Sequence, residues 1–231
     1  RQGDKHREGW DLTFSAPKSV SVLWAQATSI QQAAIARAHE RAVDRALLLL
    51  QTHAIQVRIG KGGSAHVPAQ MVAALFTHET SRAHDPQLHT HAFLSNCGLR
   101  RDGRWGTLES RYLYQWQTVV GTAYRAQLSH ELRLLGYGIR EDKTAFAVVG
   151  VPERAVTAFA RRRADIERAA NSAGVSSPAA MEVVALGTRA KKVDVDQDAL
   201  RQNWRDRGSA LGFGPGEAKQ LLGTRNDRVG A

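Results

Sequence analysis

Two β-rich segments joined by a short polar loop constrain the fold of this chain most strongly. Met71–Thr77 and Leu88–Leu99 have the composition of strands, and the loop of residues 81–87 between them contains Pro86. Two strands so close in sequence pair most simply as an antiparallel hairpin. The sequence therefore predicts a long hairpin with a loop rich in functional side chains.

Further strand and helix patterns surround this hairpin. Strands are predicted at Trp10–Phe14, Ile55–Ile59 and, as a second hairpin, within Ile139–Val149; helices are predicted at Lys18–Ala25, Ile30–His53 and Arg111–Leu135. We expect a two-layer α/β (α+β) sandwich, with a mainly antiparallel sheet of about five strands and helices on one face.

The pattern changes from Pro152 onward, where no strand is predicted. Helical patterns cover Pro152–Ala173, Pro178–Ala190 and Asp194–Leu211, and this part is locally basic. We therefore expect a core of residues 1–150, a helical cover of residues 151–212 and a weakly structured tail of residues 213–231.

The charge of the chain favours a polyanionic partner. Lys and Arg number 32 against 22 Asp and Glu, which gives a net charge of +10 and a pI near 10.3. Nucleic acid is favoured over a membrane surface, and a basic enzyme without such a partner is the alternative.

No apolar run approaches the roughly 20 residues of a membrane span. The single cysteine, Cys97, fits a reducing compartment, so we expect a cytoplasmic protein. Because the chain starts at Arg1 rather than Met, we expect it to be an excised piece or a mature product.

A cluster of histidines is the candidate metal site. Four of the nine histidines lie within fourteen residues: His78, His84, His89 and His91. Side chains at i and i+2 on a strand point to one face, so His89 and His91 can chelate one cation. If the two strands pair, His78 joins them as a third ligand and leaves coordination positions open for substrate or water. We expect His84 to be a solvated loop residue.

A metal-bound histidine usually donates its second ring N–H to a carboxylate. Asp11 is one candidate, because it is an isolated acid on an apolar strand. Glu79 and Asp85 compete for this role by their proximity in sequence, and an exposed Asp11 without a partner is the alternative.

Two long motifs resemble a known family. The stretch DLTFSAPKSVS at residues 11–21, with HETSR at 78–82 and DPQLHTH at 85–91, is similar to the relaxase domain of the TrwC/TraI-type (MobF) conjugative relaxases. These belong to the HUH class of single-strand endonucleases. The resemblance covers most of the chain.

The resemblance implies a specific activity. Such enzymes nick and rejoin single-stranded DNA at an origin of transfer through a tyrosine joined to the 5′ end. It implies that His78, His89 and His91 hold one divalent ion, Mg²⁺ or Mn²⁺ first and Zn²⁺ as an alternative. Asp11 would orient a ligand histidine or help to activate the tyrosine, and Arg82 would clamp the phosphate. Conjugation accessory and coupling proteins and a C-terminal helicase domain are the further partners, without membrane insertion.

The tyrosines depart from the family pattern. Family nucleophiles lie upstream of the aspartate motif, whereas the four tyrosines here follow the histidines: Tyr112, Tyr114, Tyr124 and Tyr137. We therefore expect the nucleophile upstream of this chain, and metal and DNA binding without cleavage by the chain alone.

The alternatives are a rolling-circle replication-type HUH nuclease and a non-catalytic single-stranded DNA-binding module. The predicted contacts to DNA phosphates are Lys18, Arg104, Arg161, Arg162 and Arg163, and the predicted base-stacking aromatics are Trp10, Trp105 and Tyr112.

Overall fold

The computed structural model describes residues 7–142, 145–188 and 195–223. They divide into two compact units. The first unit contains residues 7–15, 37–78 and 89–131, and the second contains the described parts of 16–36, 79–88 and 132–223. Both strands of the long hairpin start in one unit and end in the other.

The main sheet has five strands. They are β1 (Gly9–Ser15), β2 (Gln56–Ile59), β3 (Ala65–Thr80), β4 (Pro86–Arg100) and β5 (Trp105–Gly106). The strand order is β1-β4-β3-β2, with β5 paired to β4. β1 pairs antiparallel with β4 so that Thr13 faces His91. The predicted sheet and hairpin are confirmed, although β3 and β4 extend beyond the two patterns.

The two faces of β4 differ in what they contact. Thr90, Ala92 and Leu94 are buried, whereas His89 and His91 point to the opposite face and are partly exposed. On the buried face, His39 of helix α2 (Ser29–His53) contacts Thr90 and the hydroxyl of Tyr124, which belongs to helix α3 (Ser110–Leu134). The expected helices on one face are therefore present, and the histidines occupy the other face.

Two close approaches indicate the register between β3 and β4. The Thr77 and Thr90 hydroxyl oxygens lie 2.9 Å apart. Gly98 lies so close to β3 that an added Cβ would be 2.9 Å from the Cβ of Ala69. In an antiparallel pair of strands, the residue numbers of facing residues add to a constant. Both pairs give the same sum, so they share one register, and that register places His78 opposite His89.

The second unit is mainly helical. Its helices are α1 (Lys18–Gln26), α4 (Glu153–Ala158), α5 (Arg161–Ser172), α6 (Pro178–Gly187), α7 (Gln197–Ala210) and α8 (Pro215–Gln220), with the hairpin β6 (Ile139–Asp142) and β7 (Ala145–Val148). Trp24 and Trp204 pack edge to face, with ring centres 6.2 Å apart. Gly208 allows α7 to approach Gln26, because a Cβ there would be 2.4 Å from the Gln26 amide nitrogen.

Three sequence-based boundaries need correction. The predicted helix Pro152–Ala173 is two helices; the fully buried Phe159 lies at the break, with the Arg207 guanidinium 4.4 Å from its ring centre. The next helix ends at Gly187, and residues 189–194 lie outside the described residues. The expected weakly structured tail is wrong for residues 213–223, because Phe213 is buried and α8 follows it. Residues 224–231 lie outside the described part.

None of the helices in the described ranges is both long enough and apolar enough to cross a membrane.

Candidate functional site

Three histidine rings meet on the exposed face of the sheet, within the first unit. The ring centres of His78 and His89 lie 5.5 Å apart, those of His78 and His91 lie 5.7 Å apart, and those of His89 and His91 lie 5.2 Å apart. His78 comes from β3 and the other two from alternate positions of β4, as the hairpin predicts. The pairing of β3 with β4 therefore brings together the three imidazoles that the sequence singled out.

The spacing of the rings fits one shared cation. A point equidistant from the three ring centres lies about 3.2 Å from each of them, from the distances of 5.5, 5.7 and 5.2 Å. A cation bound to a ring nitrogen at about 2.1 Å lies roughly 3 Å from that ring's centre. Among the described residues, no set of three His, Cys, Asp or Glu side chains is already arranged to hold a metal. The rings therefore have the right spacing and need side-chain rotations to converge on an ion.

Asp11 holds the ring of His91. Its carboxylate oxygens lie 2.8 and 3.0 Å from Nδ1 of His91, and the Thr13 hydroxyl lies 3.2 Å from the same nitrogen. A carboxylate can only accept, so Nδ1 carries the proton and Nε2 presents a lone pair. This is the carboxylate–histidine arrangement that supports metal ligands. Asp11 remains about half exposed, at 53%.

The two competing acids have other partners, in the second unit. Glu79 accepts a hydrogen bond of 2.8 Å from Arg201. Asp85 is fully buried and accepts from the backbone N–H and the Nε of Arg161, at 3.0 and 2.9 Å, and from Arg207 at 3.2 Å. Of the three candidate acids, Asp11 is the one placed beside a histidine.

Lys18 belongs to the surroundings of Asp85. Its ammonium donates to the carbonyl of Pro86 at 2.9 Å. Burial lowers the pKa of Lys18 to about 8, and the negative charge of Asp85 partly opposes this shift. Lys18 was predicted to contact DNA, but in this structure its charge is partly buried and hydrogen-bonded within the protein.

The predicted arginine contacts divide into two groups. Arg161 donates to Asp85 and to the carbonyl of Ala83, and Arg162 donates to the carbonyls of Thr188 and Ala185. These two side chains stabilise the second unit. Arg163 is 82% exposed and pairs with Glu167 one turn away. Arg104 is exposed in the turn before β5.

The loop between β3 and β4 holds the remaining predicted residues. Arg82 is exposed there, and no contact of its side chain with the histidines is described. His84 is half-buried with a left-handed φ of 55°, and its carbonyl accepts from the indole N–H of Trp204 at 2.9 Å. His84 therefore lies in the loop, as expected, with a partly exposed side chain, and its backbone carbonyl helps to hold the loop.

Two of the four tyrosines are buried. Tyr124 and Tyr137 are 2% and 1% exposed. Burial raises the pKa of both phenols, and Tyr124 also shares its hydroxyl with His39. Neither phenol is placed to ionise and attack a phosphate.

The other two tyrosines are accessible and lie on α3, where each hydroxyl contacts a residue distant from the three histidines. The Tyr112 hydroxyl lies 3.3 Å from Nδ1 of His66, which precedes His78 by about 40 Å of extended strand. Tyr114 accepts a hydrogen bond from Arg7, about 20 Å along β1 from the position of Thr13. Neither hydroxyl is bonded to a residue of the three-histidine site.

A buried polar chain behind the site was missed by sequence reasoning. His39 contacts both Thr90 and the Tyr124 hydroxyl, and Thr90 contacts Thr77. Burial lowers the pKa of His39 to about 4, and the neighbouring His89 contributes to the shift. In the sequence, the one sign of this chain was Thr90 between the two candidate ligands His89 and His91. Thr90 becomes informative only once its contact with His39 on α2 is known.

Comparison with known proteins identifies the family. The TrwC relaxase family model matches residues 1–211. The chain belongs to the TrwC relaxase family. Two multifunctional conjugation proteins named TraI are similar to it. One, from Escherichia coli strain K12, is 34% identical over 222 residues, and the other, from Escherichia coli, is 33% identical over the same length. The alignments cover 91% of this chain but only 12% of each TraI.

Solved TrwC structures share the fold. A copper-bound conjugative relaxase TrwC in complex with OriT DNA has a TM-score of 0.84 and 36% identity, covering 92% of this chain and 74% of that one. A metal-free complex with OriT DNA has a TM-score of 0.83 and 34% identity, covering 92% and 76%. TrwC with a 27-mer DNA that contains the recognition hairpin and cleavage site has a TM-score of 0.80 and 36% identity, covering 89% and 74%. The expected fold class is therefore confirmed.

Proposed function

We propose that this chain is the relaxase domain of a conjugation protein and takes part in metal-dependent nicking and rejoining of single-stranded DNA at an origin of transfer. The observation that carries the proposal is the meeting of His78, His89 and His91 around one point, with Asp11 on His91. Family membership and the OriT DNA complexes of the related TrwC support it.

The three histidines would hold one divalent ion, which, when bound, would neutralise charge that develops on a phosphate oxygen. Three imidazoles and open positions suit this task, because no ligand charge offsets that of the ion. We propose Mg²⁺ or Mn²⁺ as the natural ion and Zn²⁺ as the alternative. A copper-bound structure of the related TrwC supports a metal ion in the proposal.

Asp11 positions His91 rather than binding the ion itself. It fixes the proton on Nδ1, so that Nε2 points its lone pair away from β1. It also stabilises the ring against rotation, which is the usual role of a carboxylate behind a ligand histidine.

The DNA partner is supported by charge. A net charge of +10 attracts a polyphosphate and should make binding depend on salt. Exposed cations such as Arg82, Arg104 and Arg163 are better placed for phosphates than Arg161 or Arg162, whose donors bind protein atoms. A covering role for the helices after Pro152, a cytoplasmic location and a helicase partner stay predictions.

The nucleophile is proposed to be a tyrosine other than the four present. Two of the four are buried, and the hydroxyls of the other two bond to His66 and Arg7. A phenol suits reversible transfer, because phenolate is both a fair nucleophile and a fair leaving group.

The test is a denaturing gel after incubation with a labelled oligonucleotide that carries the cognate nick site and Mg²⁺ or Mn²⁺. The chain of 231 residues should bind the oligonucleotide and form no covalent adduct. A version extended at its N-terminus by a tyrosine-bearing segment should form one, and the same version with His89→Ala should not. A protease-sensitive adduct from the unextended chain would overturn the tyrosine proposal, and mapping it would name the nucleophile. Binding without any adduct from the extended version would favour a non-catalytic DNA-binding module.

A further inference from the structure

A continuous chain of polar groups, buried except at its end in Thr77, lies behind the three histidines, entirely within the first unit. His39 of α2 lies 2.8 Å from the Tyr124 hydroxyl through Nδ1 and 2.8 Å from the Thr90 hydroxyl through Nε2. Thr90 in turn lies 2.9 Å from the Thr77 hydroxyl. The chain therefore links two helices to both strands that bear the candidate ligands.

If all the hydrogen bonds of this chain run in one direction, each of its buried donors has an acceptor. Tyr124 donates to Nδ1 of His39, Nε2–H of His39 donates to Thr90, and Thr90 donates to Thr77. The exposed Thr77 can then donate to solvent. The opposite direction would leave the phenol proton of the buried Tyr124 without an acceptor, which costs free energy. Burial lowers the pKa of His39 to about 4, so near neutral pH it carries the single ring proton that this direction requires.

The positions of the two threonines connect this chain to the site. Thr90 separates His89 from His91, and Thr77 immediately precedes His78. Because side chains alternate across a strand, fixing Thr90 against α2 sets the direction in which its two neighbours leave the opposite face. The contact between Thr77 and Thr90 sets the register that brings His78 beside His89.

We propose that the chain Tyr124–His39–Thr90–Thr77 positions the three histidines for metal binding, an inference that rests on the proposed function. His39, Thr90 and Thr77 are positioning residues: they touch neither ion nor substrate, and they act through the backbone of the ligands. Outer-shell partners of metal ligands typically contribute about 10- to 100-fold to metal affinity.

The test measures Co²⁺ binding by calorimetry and the visible absorption spectrum of the bound Co²⁺, which reports ligand geometry. Thr90→Val keeps the side-chain shape but removes the hydroxyl. It should weaken Co²⁺ binding by about 10- to 100-fold and change the spectrum. Thr90→Ser restores the hydroxyl and should recover most of the affinity and the original spectrum. Should Thr90→Val fail to fold, Tyr124→Phe serves in its place, with a smaller loss in the same direction.

Gln51 provides the matched control. It lies on the same helix α2 and bonds to the same strand β3, donating to the carbonyl of Ala69 and accepting from the N–H of Met71, both at 2.8 Å. Gln51→Leu removes a comparable helix-to-strand contact several residues from His78. It should lower the free energy of unfolding, measured with urea, and leave Co²⁺ affinity and spectrum unchanged.

The outcomes separate this inference from the proposed function. If the unaltered chain binds Co²⁺ and Thr90→Val binds it with the same affinity and spectrum, the positioning role is wrong and the metal site stands. Equal losses from Gln51→Leu and Thr90→Val would also overturn it, because the effect would then be general loss of stability. If the unaltered chain binds no Co²⁺, the proposed metal site is wrong and this inference falls with it.

Discussion

Asp11 in the first unit and Asp85 in the second are aspartates of the two motifs, and sequence reasoning gave them the same candidate role. Asp11 is about half exposed and bonds to one histidine ring, whereas Asp85 is fully buried and accepts from two arginines and a backbone N–H. A buried carboxylate needs several hydrogen-bond donors to compensate its charge. Its oxygens are then occupied and cannot also accept a hydrogen bond from a ligand histidine. The exposed aspartate is hydrogen-bonded to the ring of His91, and the buried one joins its loop to two arginines.

The strongest test of the exposed surroundings of Asp11, which contain the three histidines, is removal of a proposed metal ligand. His89→Ala should reduce Mn²⁺ or Zn²⁺ affinity by more than the roughly 10- to 100-fold that outer-shell changes cost, because a direct bond is lost. Calorimetry measures the affinity, and His84→Ala is the control expected to bind normally. Unchanged affinity in the single alanine variants of His78, His89 and His91 would rule out the site.

Changes in the buried surroundings of Asp85 should instead alter the free energy of unfolding. Asp85→Ala leaves Arg161 and Arg207 without their shared carboxylate. The arginines left behind are 52% and 27% exposed, so the loss of unfolding free energy should fall short of the about 3–5 kcal/mol that breaking a fully buried ion pair costs. Urea unfolding would measure this loss, and metal affinity under native conditions should stay within a few-fold. A loss below about 1 kcal/mol would mean that the cluster is less important to the fold than its burial implies.

The pH dependence of stability should reveal the buried Lys18. Its pKa is lowered to about 8 from an ordinary value of 10.5, so between these pH values the unfolded chain binds more protons than the folded one. Stability should therefore rise with pH across that window, by about 3 kcal/mol at most, and this gain should be absent below pH 8. Lys18→Met should remove this rise in urea unfolding curves recorded at several pH values. The same rise in the variant would assign the effect to other groups.

A smaller effect is expected from Asp11. Asp11→Asn keeps the shape but weakens the hold on Nδ1 of His91, and metal affinity should fall by about 10-fold or somewhat more. Because the carboxylate is exposed, stability should change by less than about 1 kcal/mol. Calorimetry and urea unfolding on the same preparation give both quantities. A large loss of stability with normal metal affinity would reverse the assigned roles of Asp11 and Asp85.

The smallest effect concerns DNA. Arg104→Ala should lower the slope of log affinity for single-stranded DNA against log salt by about 0.7 if Arg104 contacts one phosphate. Arg162→Ala should instead destabilise the second unit, because its donors bind the carbonyls of Thr188 and Ala185. Fluorescence anisotropy at several salt concentrations measures the slope. An unchanged slope for Arg104→Ala with a reduced one for Arg162→Ala would contradict this division.

Local patterns were sufficient for much of the fold. A β-rich composition and a short polar loop predicted the long hairpin, and the two 25-residue helices α2 and α3 followed from their periodicity. The same patterns misjudged the segment after Gly212, because Phe213 becomes buried only through the packing of the second unit. Phe159, at the break between α4 and α5, likewise packs against Arg207, which is distant in sequence.

For the site, local sequence was enough to single out the three histidines and their common face, because an i, i+2 spacing and a short loop fix both once the strands form. From the residues alone it offered Asp11, Glu79 and Asp85 for the carboxylate role, with the family resemblance favouring Asp11, and it grouped Arg161 and Arg162 with Arg104 as phosphate contacts. The contacts of the folded chain distinguish these residues, because hydrogen-bond partners and burial depend on residues far away in sequence. The placement of His39 behind Thr90 belongs to the same class: a contact between a helix and a strand about 50 residues apart leaves no local pattern.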